Sequence, residues 1–134
     1  MAKLEIIEGI GPVYAERLRA AGIGTVEALL RAGATPEGRK ELAERTRIGD
    51  EYIMDWVNRA VLMRVRGVGE EYSDLLEKAG VDTVIELAQR NADNLYKKLL
   101  QVNAEKRLVR RLPNRGMVTR WVAQAKMLPR VVSY

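Results

Sequence analysis

The chain has no cysteine and no histidine among its 134 residues. The absence of thiols excludes disulfides and thiol nucleophiles. The two absences together exclude the common zinc sites and the most frequent general base. Carboxylates and lysines could still catalyse a reaction, but no pair of them stands out in the sequence. We therefore expect no enzymatic activity, no bound metal and no cofactor.

Long apolar runs are also missing. No stretch approaches the roughly 20 apolar residues that a membrane-spanning helix needs. The first residues contain Glu5 and lack the apolar core of a signal peptide. The sequence also has no Ser/Gly-rich linker and no low-complexity segment. These features predict a cytoplasmic protein without a membrane partner.

Acidic side chains are scarce in the last third of the chain. Residues 91–134 carry ten Lys and Arg against Asp93 and Glu105, whereas residues 1–90 carry 13 Lys and Arg against 16 acidic residues. The net charge of +5 is therefore a balance between a basic end and a slightly acidic remainder. Such segregation of positive charge is typical of proteins that bind polyanions.

An internal repeat organises the chain. Residues 7–30 align with residues 65–88 without a gap, and nine of the 24 aligned positions are identical. The identities include both glycines of Gly9-Ile10-Gly11 and of Gly67-Val68-Gly69. A later pair, Trp56 and Trp121, matches at a spacing of 65 instead of 58. The second copy therefore contains about seven extra residues, which we place near 113–116.

Helical spacing of apolar residues runs through both halves and predicts an all-α fold. We expect helices over residues 12–21, 26–32, 36–45, 51–64, 70–79, 84–90 and 117–128, with two more beginning after Asn91 and Asn103. Thr35, Thr83 and Asn91 are expected N-caps. Trp56 and Trp121 fall in these helical patterns, and we expect them to pack in the core.

Each Gly-x-Gly run is followed by a helical pattern, which indicates a tight turn leading into a helix N-terminus. Free backbone N–H groups and a partial positive charge at such a terminus attract phosphate oxygens. With Ala15 and Leu18 in the first copy and Ser73 and Leu76 in the second, the runs resemble the helix-hairpin-helix motif. That resemblance implies binding of the DNA backbone without reading of sequence, as in repair and recombination proteins.

The first half contains Gly-Ile-Gly-Pro at 9–12, Ala-Glu-Arg-Leu at 15–18, Ala-Gly-Ile at 21–23 and Thr-Val-Glu-Ala at 25–28. On this pattern each half is also similar to the small N-terminal domain of RadA-type recombinases, without their ATPase core. The whole chain resembles a group of small bacterial proteins of unassigned function that are built from two such halves. We therefore expect two pseudo-symmetric helix-hairpin-helix repeats of the SAM-like type, residues 1–64 and 65–134. We expect the two repeats to pack as one compact helical domain.

The strongest basic signal is the segment 103–112. If this segment is a helix, Lys106, Arg107, Arg110 and Arg111 share an arc of about 140°. We predict that it binds phosphates without sequence preference, with DNA preferred over RNA as the partner. The full set of predicted nucleic-acid-binding residues is Gly9, Ile10, Gly11, Arg17, Gly67, Gly69, Lys97, Lys98, Lys106, Arg107, Arg110, Arg111 and Arg115.

A protein–protein adaptor is the alternative interpretation. In that case the hairpins are purely structural turns and a helical surface docks a protein partner. The feature that favours it is the second hairpin, where Glu70, Glu71 and Asp74 stand at the helix start and would repel a phosphate.

Overall fold

The computed structural model describes residues 2–134, and in this range the regular secondary structure is helical apart from one antiparallel bridge between Lys3 and Thr25. The predicted all-α fold class is therefore confirmed. A short 3-10 turn, Leu4–Ile6, precedes the α-helices. They are α1 (Pro12–Ala20), α2 (Val26–Ala32), α3 (Pro36–Thr46), α4 (Asp50–Leu62), α5 (Glu70–Lys78), α6 (Val84–Gln89), α7 (Ala92–Lys106) and α8 (Arg115–Met127).

Side chains fix several helix starts locally. The hydroxyl of Thr35 accepts a hydrogen bond from an amide three residues on at 3.0 Å, and that of Thr83 does the same at 3.1 Å. The side-chain carbonyl of Asn91 caps α7 in the same way at 3.0 Å. Each cap satisfies an N–H group that the helix itself leaves without a partner. These three predicted caps are confirmed.

The chain divides into two compact units. The first unit comprises Met1–Val61 together with Arg130–Tyr134, and the second comprises Leu62–Pro129. The repeat boundary between residues 64 and 65 stays a prediction, because a repeat in sequence and a unit defined by contacts need not end at the same residue.

In the first unit, α3 packs against both α1 and α2. The short entry segment before the first glycine contributes Leu4 and Ile7 to the core, although it forms only a 3-10 turn. Trp56 on α4 is 1% exposed, so its ring is a core side chain. Burial of such a large aromatic group is a major source of stability in so small a unit.

The C-terminal segment Arg130–Tyr134 docks on the first unit through a buried arginine. Arg39, only 9% exposed, donates from Nη1 to the carbonyl of Gly33 and from Nη2 to the carbonyl of Ser133, both at 2.8 Å. The amide of Ser133 in turn donates to the carbonyl of Ala34 at 2.8 Å. Val132 is buried beside this network. The segment is therefore an integral part of the unit.

In the second unit, α8 packs across α6 and α7, and α5 packs on α7. Trp121 on α8 is 2% exposed and belongs to the core cluster, which confirms the predicted core role of both tryptophans. The helix α7 has 15 residues against 11 in α3. It is followed by a long connection, residues 107–114, whereas residues 47–49 suffice between α3 and α4. The predicted insertion site near 113–116 spans the end of that connection and the first turn of α8.

Candidate nucleic-acid interface

The first Gly-x-Gly run forms a tight turn directly before α1. Gly9 has φ +97°, a conformation that side chains with a Cβ rarely adopt, and the amide of Ile10 donates to the carbonyl of Ile7 at 3.1 Å. Gly11 is the N-cap of α1 and makes no side-chain cap. Pro12 has no N–H group, so the amides of the next residues in the first turn are the donors left without a helical partner.

The second run repeats this local geometry before α5. Gly67 has φ +93°, the amide of Val68 donates to the carbonyl of Val65 at 3.0 Å, and Gly69 is the N-cap without a side-chain cap. The first turn of α5 begins with Glu70 and Glu71. Their carboxylates already stabilise the positive end of the helix dipole, so this terminus is less attractive to a phosphate than that of α1.

The two N-cap glycines differ from the starts of five other helices. Helix α4 also follows a glycine, Gly49, but there the Glu51 carboxylate lies 2.8 Å from where a Cβ would stand. Helices α2, α3, α6, α7 and α8 all begin with a Thr or Asn side chain that accepts an amide hydrogen bond. Gly11 and Gly69 have negative φ, and a Cβ added to either would meet nothing within 4 Å. Neither backbone conformation nor packing requires glycine there. The glycines leave the amides of the following turn accessible.

The other glycine of each turn does have a structural reason. A Cβ added to Gly9 would lie 3.2 Å from the indole Nε1 of Trp56, and one added to Gly67 would lie 3.1 Å from that of Trp121. The aromatic rings that follow the turns pack on the same tryptophans. Tyr14 and Tyr72 each lie 5.3 Å from their tryptophan, measured between ring centroids. The tryptophans are therefore supports of the turns, and nearly all of each ring is buried.

The predicted basic helix over residues 103–112 is wrong. Helix α7 ends at Lys106, Arg107 takes a left-handed backbone with φ +50°, and the chain is not helical from there to residue 114. Asn103 does not cap a new helix. Its side chain accepts from the amide of Val109 at 2.9 Å and donates to the carbonyl of Val109 at 3.2 Å, which turns the chain back.

The predicted cations consequently do not form one helical arc. The seven predicted cations of the basic end are all exposed. Lys97, Lys98 and Lys106 lie on α7, Arg107, Arg110 and Arg111 lie on the connection that follows, and Arg115 begins α8. At 100° per residue, Lys97 points about 180° away from Lys106, whereas Lys98 lies about 80° from it. The helix C-terminus also attracts Lys106 and Arg107 through its partial negative charge, whatever their function.

Two of the predicted arginines are engaged by their own units. Arg115 lies 3.4 Å from a carboxylate oxygen of Asp93 and 5.6 Å from the ring centroid of Tyr96. Arg17 lies over the ring of Tyr14 at 5.8 Å. Both remain exposed, so a phosphate could contact them, but each has a competing interaction within the protein.

Arg66 and Arg120 are basic residues that the predicted site did not include. Both line a cavity beside Gly67 in the second unit. The signal that could have found them lies in the repeat, because the aligned positions in the first half are the acidic Glu8 and Asp55. No described helix of the protein is long and apolar enough to cross a membrane, and the described residues contain no cluster of acidic side chains suited to a metal ion.

A family model described as a domain of unknown function (DUF4332) matches residues 8–128, which is most of the chain. Neither the curated proteins nor the solved structures yield a match.

Proposed function

Because the chain belongs to the DUF4332 family, whose description assigns no activity, we propose its function from geometry. We propose that it is a tandem helix-hairpin-helix protein, built from two duplicated halves, that binds the nucleic-acid backbone without reading sequence. Duplex DNA is the partner we propose over RNA, because the two turns resemble those of DNA repair and recombination proteins. A cytoplasmic location and the absence of catalysis belong to the same proposal.

The observation that carries the proposal is the pair of uncapped N-termini. Five helices of this protein satisfy a first-turn amide with a side chain, whereas α1 and α5 carry a glycine with open space around it. Amides at such a position can donate to a phosphate oxygen that comes close to the backbone. The first turn is the better donor site of the two, because α1 has no acidic residue in its first turn.

The cations of the second unit supply the electrostatic part of the proposal. Six of them, at positions 97, 98, 106, 107, 110 and 111, are exposed on α7 and on the connection to α8. Binding through phosphate contacts releases condensed counterions, so the affinity should fall steeply with salt. The log–log slope on duplex DNA is near −0.9 for each phosphate neutralised.

Replacement of Arg107, Arg110 and Arg111 together by Gln tests this assignment. We expect the slope of log affinity against log salt to become shallower by about two to three units, because each arginine neutralises about one phosphate. Fluorescence anisotropy with a labelled duplex at several salt concentrations measures the slope. Single-stranded DNA and RNA of equal length establish the preference for duplex DNA.

The matched control carries Arg31→Gln, Lys40→Gln and Arg130→Gln, which remove the same charge from exposed positions of the first unit. Its slope should stay close to that of the unmodified protein. If the Arg107, Arg110 and Arg111 variant leaves the slope unchanged, the cation assignment fails. If no probe binds at low salt, the nucleic-acid proposal fails as a whole.

A specific observation favours the adaptor as second candidate. Beside the first turn, Val13 is 64% exposed on α1, and Tyr52 on α4 is also exposed while its ring lies 5.9 Å from that of Tyr14. An apolar residue next to the proposed phosphate site is unhelpful for nucleic-acid binding and suits contact with a protein. Failure of all three nucleic-acid probes at low salt would favour this candidate.

A further inference from the structure

A cavity of about 300 Å³ lies beside the second Gly-x-Gly turn, within the second unit. Two residues of the turn and one face of α8 form its walls: Arg66, Gly67, Met117, Arg120, Trp121 and Gln124. The spacing of the four α8 residues places them on neighbouring turns of one helix face. The volume is at the lower end of the range of small-ligand sites, which starts at about 300 Å³.

The side chain of Gln124 joins the two walls. Its Oε1 accepts a hydrogen bond from the backbone amide of Arg66 at 2.9 Å, and its Nε2 donates one to the backbone carbonyl of Arg66 at 3.4 Å. These bonds hold the backbone of Arg66 against α8, where Arg120 lies one turn before Gln124. Both arginines therefore meet at the same cavity because the backbone is fixed there.

The two guanidinium groups have no anionic partner in the described part of the chain. The ion pairs at Glu5, Glu41, Asp55 and Asp93 involve other arginines, and among residues 2–134 no carboxylate contacts the side chain of Arg66 or Arg120. Both residues are exposed to solvent. Two like charges that line one cavity repel each other, and the attraction of a bound anion to both of them offsets that repulsion.

The remaining lining is apolar or a weak donor. Met117 and Trp121 offer apolar surface, and the indole Nε1 of Trp121 lies next to Gly67. This indole N–H group is a hydrogen-bond donor without an acceptor in the described residues. The site therefore combines positive charge with an apolar wall, and no carboxylate lines it.

The first unit has the opposite charges at the aligned positions. Glu8 corresponds to Arg66 at the repeat spacing of 58, and Asp55 corresponds to Arg120 at the spacing of 65. In place of Met117 stands Tyr52, whose ring stacks on Trp56 at a centroid distance of 6.2 Å. The basic cavity is thus a property of the second unit and does not follow from the turn itself.

We propose that this cavity binds a phosphomonoester, the dianionic phosphate of a nucleotide or of a phosphorylated strand end. Two guanidinium groups match two negative charges, and arginine binds phosphate oxygens in a planar, bidentate geometry. Met117 provides the apolar surface for the sugar or base attached to the phosphate, and only an edge of the buried Trp121 reaches the cavity. A strand end as natural source rests on the proposed nucleic-acid function, whereas the phosphomonoester chemistry does not.

The test follows the two indole signals in ¹H–¹⁵N correlation spectra of the full chain during titration with 2′-deoxyadenosine 5′-monophosphate. We expect the Trp121 signal to shift in a saturable way and the Trp56 signal to stay in place. Deoxyadenosine without phosphate should shift neither. Equal shifts of both indoles, or no shift of Trp121 with the monophosphate, would overturn the proposal.

The variants Arg66→Gln and Arg120→Gln should each weaken binding of the monophosphate about tenfold, the loss of one charged hydrogen-bonding group. The matched control is Lys126→Gln, which removes one exposed charge from α8 outside the cavity. It should bind as the unmodified protein does. An equal loss in the control would show diffuse charge attraction and overturn the site. Far-UV circular dichroism verifies that all three variants fold.

A pair of oligonucleotides with and without a 5′-phosphate separates the two sources. A preference of about tenfold for the phosphorylated end, lost in Arg66→Gln, supports a strand end. Saturable binding of the monophosphate, with no binding of either oligonucleotide, supports a free nucleotide as the ligand. That result contradicts the proposed nucleic-acid function and leaves the cavity proposal in place. Oligonucleotide binding without any response of Trp121 keeps that function and overturns the cavity proposal.

Discussion

The two Gly-x-Gly turns have the same backbone conformation but differ in the charge of their flanking side chains. In each turn the first glycine has positive φ and lies against a tryptophan indole, and the second glycine is an uncapped helix start. The flanking side chains are acidic at positions 8 and 55 and basic at positions 66 and 120. The backbone of such a turn therefore does not decide what it binds. Its electrostatics are set by side chains that the turn geometry leaves free to vary.

The largest expected effect is a deletion that lowers the stability of the first unit and leaves that of the second unchanged. Deletion of residues 130–134 removes the buried Val132 and the Ser133 carbonyl that accepts from Arg39. We expect the first unit to lose about 2–4 kcal/mol of unfolding free energy, from lost apolar burial and an unsatisfied buried donor. Native-state hydrogen exchange, read separately for each unit, measures the loss.

The second unit should keep its protection in this deletion, because residues 130–134 belong to the first unit. Arg130→Gln in the full chain is the control, since this exposed side chain can change without removal of the docked segment. Equal loss of protection in both units would contradict the assignment of the segment to the first unit alone.

The two glycines of each turn should respond in opposite ways. Gly9→Ala and Gly67→Ala should each cost about 1–3 kcal/mol, because alanine is strained at positive φ and its Cβ crowds the indole. Gly11→Ser and Gly69→Ser should instead stabilise by a few tenths of a kcal/mol, because serine can cap the helix. Thermal or urea unfolding measures both effects.

Nucleic-acid affinity provides the second measurement on the serine variants. The serine oxygen competes with phosphate for the same first-turn amides, so Gly11→Ser should weaken binding of duplex DNA while it stabilises the fold. Gly69→Ser should weaken it less, because Glu70 and Glu71 already occupy the start of α5. Unchanged affinity in Gly11→Ser would assign the first turn a purely structural role.

The smallest expected effect is a difference in acid sensitivity. In the first unit, Arg19 donates to Glu5 at 2.8 Å, and this hydrogen bond lowers the pKa of the Glu5 carboxyl from its ordinary 4.5. A carboxyl whose pKa is lower in the folded than in the unfolded state stabilises the fold at any pH above the unfolded-state pKa. That contribution is lost as the pH falls through the folded-state pKa. The aligned residues of the second half, Met63 and Glu77, are not an arginine–glutamate pair.

Because Glu5 and Arg19 are exposed, the contribution is small. When the pH is lowered below 4.5, we expect the first unit of the unmodified protein to lose slightly more hydrogen-exchange protection than the first unit of the Arg19→Gln variant. Hydrogen exchange at paired pH values measures it, with the second unit as internal reference. Identical pH profiles for the unmodified protein and the Arg19→Gln variant would exclude a contribution from this pair.

Local signals predicted much of this fold. Thr35, Thr83 and Asn91 act as caps because the capping interaction spans only three residues. The basic helix over 103–112 failed because a helical arrangement of charges does not require a helix. The path of the chain there is set by the hydrogen bond between Asn103 and Val109 and by the burial of Val109 and Pro113. The periodicity of the sequence does not reveal these contacts.

The cavity beside the second turn was missed for a related reason. Arg66 and Arg120 stand 54 positions apart in the sequence, and only the bonds from Gln124 to the backbone of Arg66 bring their surroundings together. No local pattern links residues at that distance. The aligned charge reversal with Glu8 and Asp55 was visible, but its meaning depends on knowing that these positions flank a cavity.

The docking of Arg130–Tyr134 also has a consequence for biosynthesis. The first unit is interrupted in the chain, since all of Leu62–Pro129 lies between its two parts. A ribosome therefore completes the second unit before the first can close. Until then, the Arg39 donor that later meets Ser133 has no acceptor from the tail. The N-terminal helices are therefore synthesised first, but we expect them to be the last to reach full protection from hydrogen exchange.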